Sequence, residues 1–168
     1  MIIDLKSIAG KYGANIPFEY QVALSDISLY GSFPFQTPGT IRGQIQNHLG
    51  VLKVSGVIEA LYETSCARCL KPLHISLSTS CDVVLTQDAE NEDARVFFVP
   101  GEAVELDDIF VPALILDIPM TYLCSEDCKG LCQRCGRDLN EGECGCSKRQ
   151  VDDRLAILKT LLPDEGDA

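Results

Sequence analysis

Six of the nine cysteines fall within 23 residues near the C-terminus, and two more form a pair far upstream. The dense segment contains Cys124, Cys128, Cys132, Cys135, Cys144 and Cys146, and the upstream pair is Cys66 and Cys69. Two thiols separated by two residues lie on one side of a tight turn, at the separation that a tetrahedral zinc ion requires. The eight thiols therefore predict two four-thiolate zinc sites, with Cys81 left over.

The first predicted site consists of Cys132, Cys135, Cys144 and Cys146. Gly136 follows the first of these turns, at a position where the chain often passes through positive φ. Because all four ligands come from the protein, no position is left for a water nucleophile, and the predicted role of the zinc is structural. The alternative is a cluster of reduced, inert cysteines.

The second predicted site consists of Cys66, Cys69, Cys124 and Cys128. The spacing of Cys124 and Cys128 is looser than that of a CxxC turn, but pairing them with the upstream turn would attach the cysteine-rich segment to the rest of the chain. Three alternatives stay open: the upstream pair without metal, a redox-active CxxC pair, and His74 in place of one thiolate.

The composition of the chain restricts the class of protein and its expected location. The chain of 168 residues is 46% hydrophobic and 23% charged, which is typical of an ordinary globular protein. The N-terminus has no signal-peptide pattern, and the most apolar stretch, residues 109–123, is too short and too interrupted to span a membrane. We therefore expect a cytoplasmic protein without a membrane partner. In a reducing cytosol, closely spaced cysteines are more often metal ligands than disulfides.

The negative charge lies entirely in the second half of the chain. Residues 1–86 contain six basic and six acidic residues, whereas residues 87–168 contain eight and 19 and carry the whole net charge of −11. Phosphate backbones repel such a surface, so avid direct binding to nucleic acid is not expected. A basic protein partner is the more plausible contact.

The hydrophobic pattern predicts an α+β fold. Its core would be an antiparallel β-sheet or a partly closed barrel, with two short helices and a C-terminal Cys-rich zinc-binding segment. Alternating residues predict strands over 18–29, 40–48, 51–65, 73–86 and 95–99. In the third strand the core positions would be Leu52, Val54, Val57 and Leu61, with a bulge at Gly56 where the alternation changes phase.

Two helices and three regions complete the predicted organisation. The first helix covers about 106–116, with Asp107 or Asp108 as its N-cap, and Pro112 predicts a late start or a kink. The second helix covers about 153–162. The predicted regions are a β-rich core with one helix (1–123), a Cys-rich zinc segment docked on it (124–150), and a short helix with an acidic tail (151–168).

Catalytic signatures are missing from the sequence. It contains no GxGxxG, P-loop, GxSxG or HExxH pattern. The paired aspartates stand at helix starts, where they are typical of caps and solvated surfaces. The sequence thus predicts a protein that is not an enzyme.

Four motifs in a fixed order resemble the YceD family, the large ribosomal RNA subunit accumulation proteins. They are CARCLKP at 66–72, ELDDIFVPALILDIPM at 105–120, CSEDCKGLCQRCGRDLNEGECGC at 124–146 and DDRLAILKTLL at 152–162. The chain departs from the family pattern at Gln133, Pro112 and Asp153 and keeps every thiol. The resemblance extends over about residues 18–162.

The resemblance implies a non-enzymatic factor in the accumulation or processing of large-subunit (23S) ribosomal RNA and in ribosome assembly. It also implies that the chain binds the large-subunit precursor through a basic ribosomal protein, because the family is encoded beside a small zinc-binding protein of that subunit. Three other functions stay open from the residues alone. They are a redox-sensing holdase whose zinc thiolates oxidise, a protein-interaction module, and a direct RNA binder.

Overall fold

A computed structural model describes residues 1–88, 93 and 95–146 of the chain. Seven strands and two helices are formed within these residues. In chain order they are β1 (Ile2–Asp4), α1 (Lys6–Ala9), β2 (Asn15–Val22), β3 (Gly39–His48), β4 (Val51–Ser65), β5 (Pro72–Thr86), β6 (Val96–Phe98), β7 (Ala103–Glu105) and α2 (Asp107–Asp117). The predicted second helix at 153–162 and the acidic tail lie outside the described residues.

The strands form one five-stranded sheet and one two-stranded sheet. The large sheet has the order β2-β3-β4-β5-β6, and the small one pairs β1 with β7. The first four strands of the large sheet are antiparallel neighbours in sequence, whereas β6 runs parallel to β5. The predicted fold class, α+β with an antiparallel sheet and two short helices, is confirmed, although α1 was not predicted.

The first long strand starts and ends earlier than its pattern predicts. The predicted strand covers 18–29, but β2 ends at Val22, and the N–H of Ile27 donates to the carbonyl of Leu24 in a turn (3.1 Å). At the other end β2 includes Pro17, which pairs with Gln44 of β3. Proline is tolerated there because β2 is an edge strand.

The bulge predicted at Gly56 is wrong. Pairing continues without interruption through Gly43–Gly56 on one side of β4 and through Gly56–Cys81 on the other. A Cβ at Gly56 would lie 2.9 Å from the ring of Phe110 and 3.1 Å from Cα of Gly43. The alternation keeps its phase, and Gly56 is an inward position that must lack a side chain because Phe110 occupies the space.

Two of the four core positions predicted in this strand are wrong. Val57 and Leu61 were predicted to be buried, but Leu61 is exposed and Val57 only partly buried. Without a bulge, the inward face of β4 continues through Ile58, Ala60 and Tyr62, which are at most 8% exposed. The predicted inward position Val54 is fully buried, and Leu52 packs against the core.

The aspartates at the start of α2 do not act as caps. Leu106 is the N-cap residue and makes no side-chain cap hydrogen bond. Asp107 instead accepts hydrogen bonds from the Tyr20 hydroxyl (2.6 Å) and the N-terminal ammonium (2.9 Å). Burial raises the pKa of Asp107, but these two donors outweigh it and hold that pKa below its ordinary value. The helix begins at Asp107 with Pro112 inside it, so the predicted late start is wrong.

Within the described residues, no helix combines the length and the apolar character that crossing a bilayer requires. The longer of the two, α2, has 11 residues. Its buried side chains, Ile109, Phe110 and Leu114, pack on the large sheet as part of the main core.

The close approach at Gly56 predicts a stability loss on adding a single methyl group. We expect Gly56→Ala to destabilise the fold by about 1–3 kcal/mol, because the new Cβ would lie 2.6 Å from the carbonyl oxygen of Arg42. The measurement is the free energy of unfolding in urea. Gly101→Ala is the matched control, since its Cβ would meet nothing within 4 Å. Equal stability of the two variants would contradict the packing described here.

Candidate metal centres

The upstream cysteine pair lies at the tip of the β4–β5 hairpin, as the sequence predicts. Ser65 and Pro72 are the last paired residues of the two strands, so the turn consists of residues 66–71. The N–H of Cys66 donates to the carbonyl of Lys71 (2.9 Å), and the N–H of Leu70 donates back to the carbonyl of Cys66 (2.9 Å). Leu70 has a positive φ of 62°.

The downstream turn at residues 132–137 repeats this arrangement. The N–H of Cys132 donates to the carbonyl of Arg137 (2.8 Å), and the N–H of Gly136 donates to the carbonyl of Cys132 (2.8 Å). Gly136 has a φ of 71°, as its position after the CxxC turn predicts. The two turns are thus equivalent in their hydrogen bonds, with Leu70 in the place of Gly136.

The structure brings eight of the nine cysteines into two groups of four. The hairpin site contains Cys66, Cys69, Cys124 and Cys128, and the terminal site contains Cys132, Cys135, Cys144 and Cys146. In each group the four sulfur atoms lie within 4.8 Å of one another. These are the same two sets that the spacing predicts. His74 belongs to neither.

Sulfur separations in the hairpin site suit a tetrahedral ion. The Sγ atoms of Cys66 and Cys128 are 3.8 Å apart, and those of Cys69 and Cys124 are 3.6 Å apart. An ion with four bonds of about 2.3 Å to sulfur holds the sulfurs about 3.8 Å from one another. All nine cysteines are free thiols, so these contacts are not disulfides. Each of the two groups could hold a metal ion.

The two sites differ in their surroundings. Cys66, Cys69 and Cys128 are at most 7% exposed, and Leu73 and Leu131 pack against them in a small apolar cluster. In the terminal site Cys135 is exposed and the other three cysteines are only partly buried. Cys124 is the exposed member of the hairpin site, so protein shields three of its four cysteines, whereas none of the four in the terminal site is buried.

Backbone N–H groups favour the thiolate at the first cysteine of each turn. The N–H groups of Cys69 and Arg68 point at the sulfur of Cys66 and lower its pKa to about 6. The N–H groups of Cys135 and Arg134 do the same for Cys132, also to about 6. At its first cysteine, each turn thus favours the ionised form that binds metals.

Crowding of thiols raises the pKa at Cys146, the last cysteine of the terminal site. Hydrogen bonds with the thiols of Cys135 and Cys144 raise the pKa of Cys146 to about 12. Four ionised sulfurs at this separation repel one another unless a cation lies between them. A bound dication therefore favours the all-thiolate form of each group.

Arg68 joins the upstream turn to the C-terminal segment. Its guanidinium donates to the carbonyl of Cys128 (2.8 Å), and its own carbonyl accepts from the N–H of Leu131 (3.1 Å). Gly130 lies so close that a Cβ there would be 3.0 Å from the Arg68 carbonyl oxygen, and its φ is 74°. Only glycine allows this approach without strain.

Asn140 connects the two sites. It lies between the two cysteine pairs of the terminal site, yet its amide nitrogen is 3.5 Å from the sulfur of Cys128 in the hairpin site. Its side-chain oxygen accepts from the N–H of Lys129 (2.8 Å), and Asp138 accepts from its amide nitrogen (2.7 Å). Arg68 and Asn140 lie within the sequence motifs, but the sequence predicts a role for neither. Their contacts join residues 11 or more positions apart, and such contacts leave no pattern of spacing.

The remaining candidate residues lie outside both groups. Cys81 is half-buried against the main core, and burial, then the nearby Asp82, raises the pKa of its thiol. His74 is exposed, and its Nδ1 lies 3.6 Å from a carboxylate oxygen of Glu63. His48 is exposed at the end of β3.

Comparison with known proteins identifies the family. A family model described as "Large ribosomal RNA subunit accumulation protein YceD" matches residues 54–162. The chain belongs to the YceD family. The resemblance carried by the four motifs is confirmed, although the match starts at residue 54 rather than near 18. No solved structure matches the chain.

Relatives of the chain occur in bacteria and plants. A Mycobacterium tuberculosis protein is 32% identical over 123 residues, which cover 70% of this chain and 58% of that protein. The Arabidopsis thaliana protein named "Large ribosomal RNA subunit accumulation protein YCED homolog 1, chloroplastic" is 22% identical over 160 residues, which cover 77% of this chain and 50% of the relative. The chain therefore spans about half the length of the curated relatives it matches.

The position of Asn140 predicts that it supports metal binding at a site to which it supplies no ligand. We expect Asn140→Ala to weaken metal affinity at the hairpin site by about 10–100-fold, because a donor to the Cys128 sulfur is lost. The measurement is competition for zinc with a chromophoric chelator.

Asn15→Ala is the control for the Asn140 variant, since Asn15 also uses its side-chain amide but bonds Gln44 on the large sheet. Unchanged zinc affinity in Asn140→Ala, or an equal loss in both variants, would contradict the role given to Asn140.

Proposed function

We propose that this protein is a non-enzymatic factor in the accumulation or processing of 23S ribosomal RNA and in ribosome assembly, and that it contains two structural zinc ions. The observation that carries the proposal is the family match over residues 54–162. The names of the chloroplast relatives from Arabidopsis thaliana and Zea mays support it, since both are called large ribosomal RNA subunit accumulation proteins. The site of action in this proposal is the cytoplasm.

The chemistry of the two groups supports zinc as the metal. Each group offers four thiols and no carboxylate or imidazole, a set that suits zinc or iron rather than magnesium or calcium. A site with four protein ligands has no open position for a water, which suits a structural ion and not a catalytic one. The residues proposed to hold zinc are the four cysteines of the hairpin site and the four of the terminal site.

The acidic charge supports a protein partner over direct contact with RNA. The net charge is −11, and eight thiolates with two dications would make it more negative still. A surface of this sign is repelled by phosphate and attracts basic polypeptides. In the proposal the protein therefore reaches the large-subunit precursor through a basic ribosomal protein.

The proposal keeps the three regions of the chain. The regions are the β-rich core with one helix (1–123), the Cys-rich segment proposed to bind metal (124–150) and a third region (151–168). What supports this division is burial: within described residues 124–146, Cys128 and Gly130 alone are buried. Such a segment lacks the apolar core that would hold it without a metal.

A redox-sensing holdase is less well supported. The terminal site would be the more oxidisable of the two, because none of its four cysteines is buried. A holdase must also expose apolar surface on oxidation. No hydrophobic cluster of the described residues contains a residue of the terminal site, so release of its metal would uncover little apolar surface.

Depletion tests the proposed function. Cells without the protein should accumulate less 23S rRNA relative to small-subunit rRNA, and expression of the wild-type chain should restore the ratio. Cys81→Ser should restore it equally, because Cys81 belongs to neither group. The double variant Cys69→Ser, Cys135→Ser should fail at equal protein level, since it removes one ligand from each group. An unchanged ratio after depletion would contradict the proposed role.

A further inference from the structure

A groove lies beside the upstream cysteine turn, where the loop of residues 29–34 meets β4 and β5. Its volume is about 470 Å³, and it has contributions from Ser65 and Pro72, the two residues that flank the turn. Tyr30 and Phe33, two exposed aromatic residues, line it together with Glu63 and His74. The groove thus combines exposed aromatic rings with a negative charge.

Tyr30 occupies a backbone conformation that an aromatic residue rarely adopts. Tyr30 and Gly31 have φ values of 51° and 80°, and Leu29 and Ser32 exchange two backbone hydrogen bonds across them (2.9 and 3.0 Å). Such two-residue turns favour asparagine or glycine at the position of Tyr30. The side chain is 93% exposed, so no core packing compensates for this backbone. A strained residue that gains nothing within its own fold points to a contact outside it.

The loop that carries these rings is fixed to the body of the protein. The N–H of Glu63 on β4 donates to the carbonyl of Pro34 (2.8 Å), and the side chain of Gln36 donates to the carbonyl of Phe33 (2.7 Å). Phe35 is 1% exposed and packs against Tyr62, with ring centroids 5.6 Å apart. A ligand that binds the groove therefore meets a loop whose backbone is already held in place, which lowers the entropy cost of binding.

The charged residues at the groove favour a cationic ligand over an anionic one. His74 is the described side chain paired with Glu63, at 3.6 Å, and among the described residues that line the groove none is lysine or arginine. Aromatic faces attract cations through their quadrupole, and a carboxylate adds charge-assisted hydrogen bonds. A phosphate would instead meet Glu63 within a chain of net charge −11.

We propose that this groove binds an arginine or lysine side chain of a basic polypeptide partner, between the rings of Tyr30 and Phe33 and the carboxylate of Glu63. The inference rests on the proposed function only for the class of partner. No cysteine lines the groove, although Leu73 of its lining packs against the cysteines of the hairpin site.

Titration with a basic peptide tests the groove on the full-length protein with its metal. The probe is acetylated, amidated octa-arginine, followed by calorimetry at physiological salt, where unspecific attraction is screened. Tyr30→Gly keeps the positive-φ turn and removes the ring, and should weaken binding about fivefold or more. Leu49→Gly is the matched control: Leu49 has a φ of 53°, is 78% exposed, and precedes Gly50 in the turn between β3 and β4. It should bind as the wild type does.

A second pair of variants separates the groove from the overall charge. Glu63→Gln and Glu19→Gln each remove one negative charge, but only Glu63 lines the groove. Weaker binding in Glu63→Gln alone supports the proposal. Equal binding by both members of each pair overturns it. Tight binding of octauridylate that Tyr30→Gly abolishes also overturns it, in favour of base stacking. The rRNA ratio after depletion does not depend on any of these outcomes. The groove and the proposed function can therefore be contradicted independently of each other.

Discussion

Close contact between sulfur atoms from two distant parts of the chain joins the C-terminal segment to the sheet. Cys66 and Cys69 come from the β4–β5 hairpin, and Cys124 and Cys128 from the chain after α2, yet their sulfurs approach to 3.6–3.8 Å. Metal binding by a site of this kind contributes roughly 10–16 kcal/mol to folding in small zinc peptides. Residues 124–146 bury too little apolar surface to supply such a free energy themselves.

The two sites are linked rather than independent. Arg68 and Gly130 bring the upstream turn and the C-terminal segment together, and Asn140 reaches from the terminal site to the sulfur of Cys128. Loss of the terminal site would therefore release a donor to the hairpin site. The groove at Tyr30 lies beside the same hairpin tip, so the proposed contact for a basic partner and the hairpin site share one end of the sheet.

Local patterns gave most of the fold and the grouping of the cysteines, because alternation and CxxC spacing act over few residues. Predictions from these patterns were wrong where contacts between residues far apart in the sequence determine the structure. Gly56 lacks a side chain because Phe110 needs its space, which no local pattern of β4 records. Asp107 has the sequence position of a cap but bonds Tyr20, 87 residues away. Leu70 and Gly136 occupy equivalent positions and both have a positive φ, but only the glycine at 136 predicts one from the sequence. Asn140 and Arg68 stayed unassigned for the same reason.

Native mass spectrometry of the full-length protein would show whether eight of the nine cysteines hold two metal ions. We expect two zinc ions per chain in the wild type and in Cys81→Ser, and one in each of Cys69→Ser and Cys135→Ser. Elemental analysis of the same samples separates zinc from iron. One ion or none in the wild type, or loss of an ion in Cys81→Ser, would contradict the account.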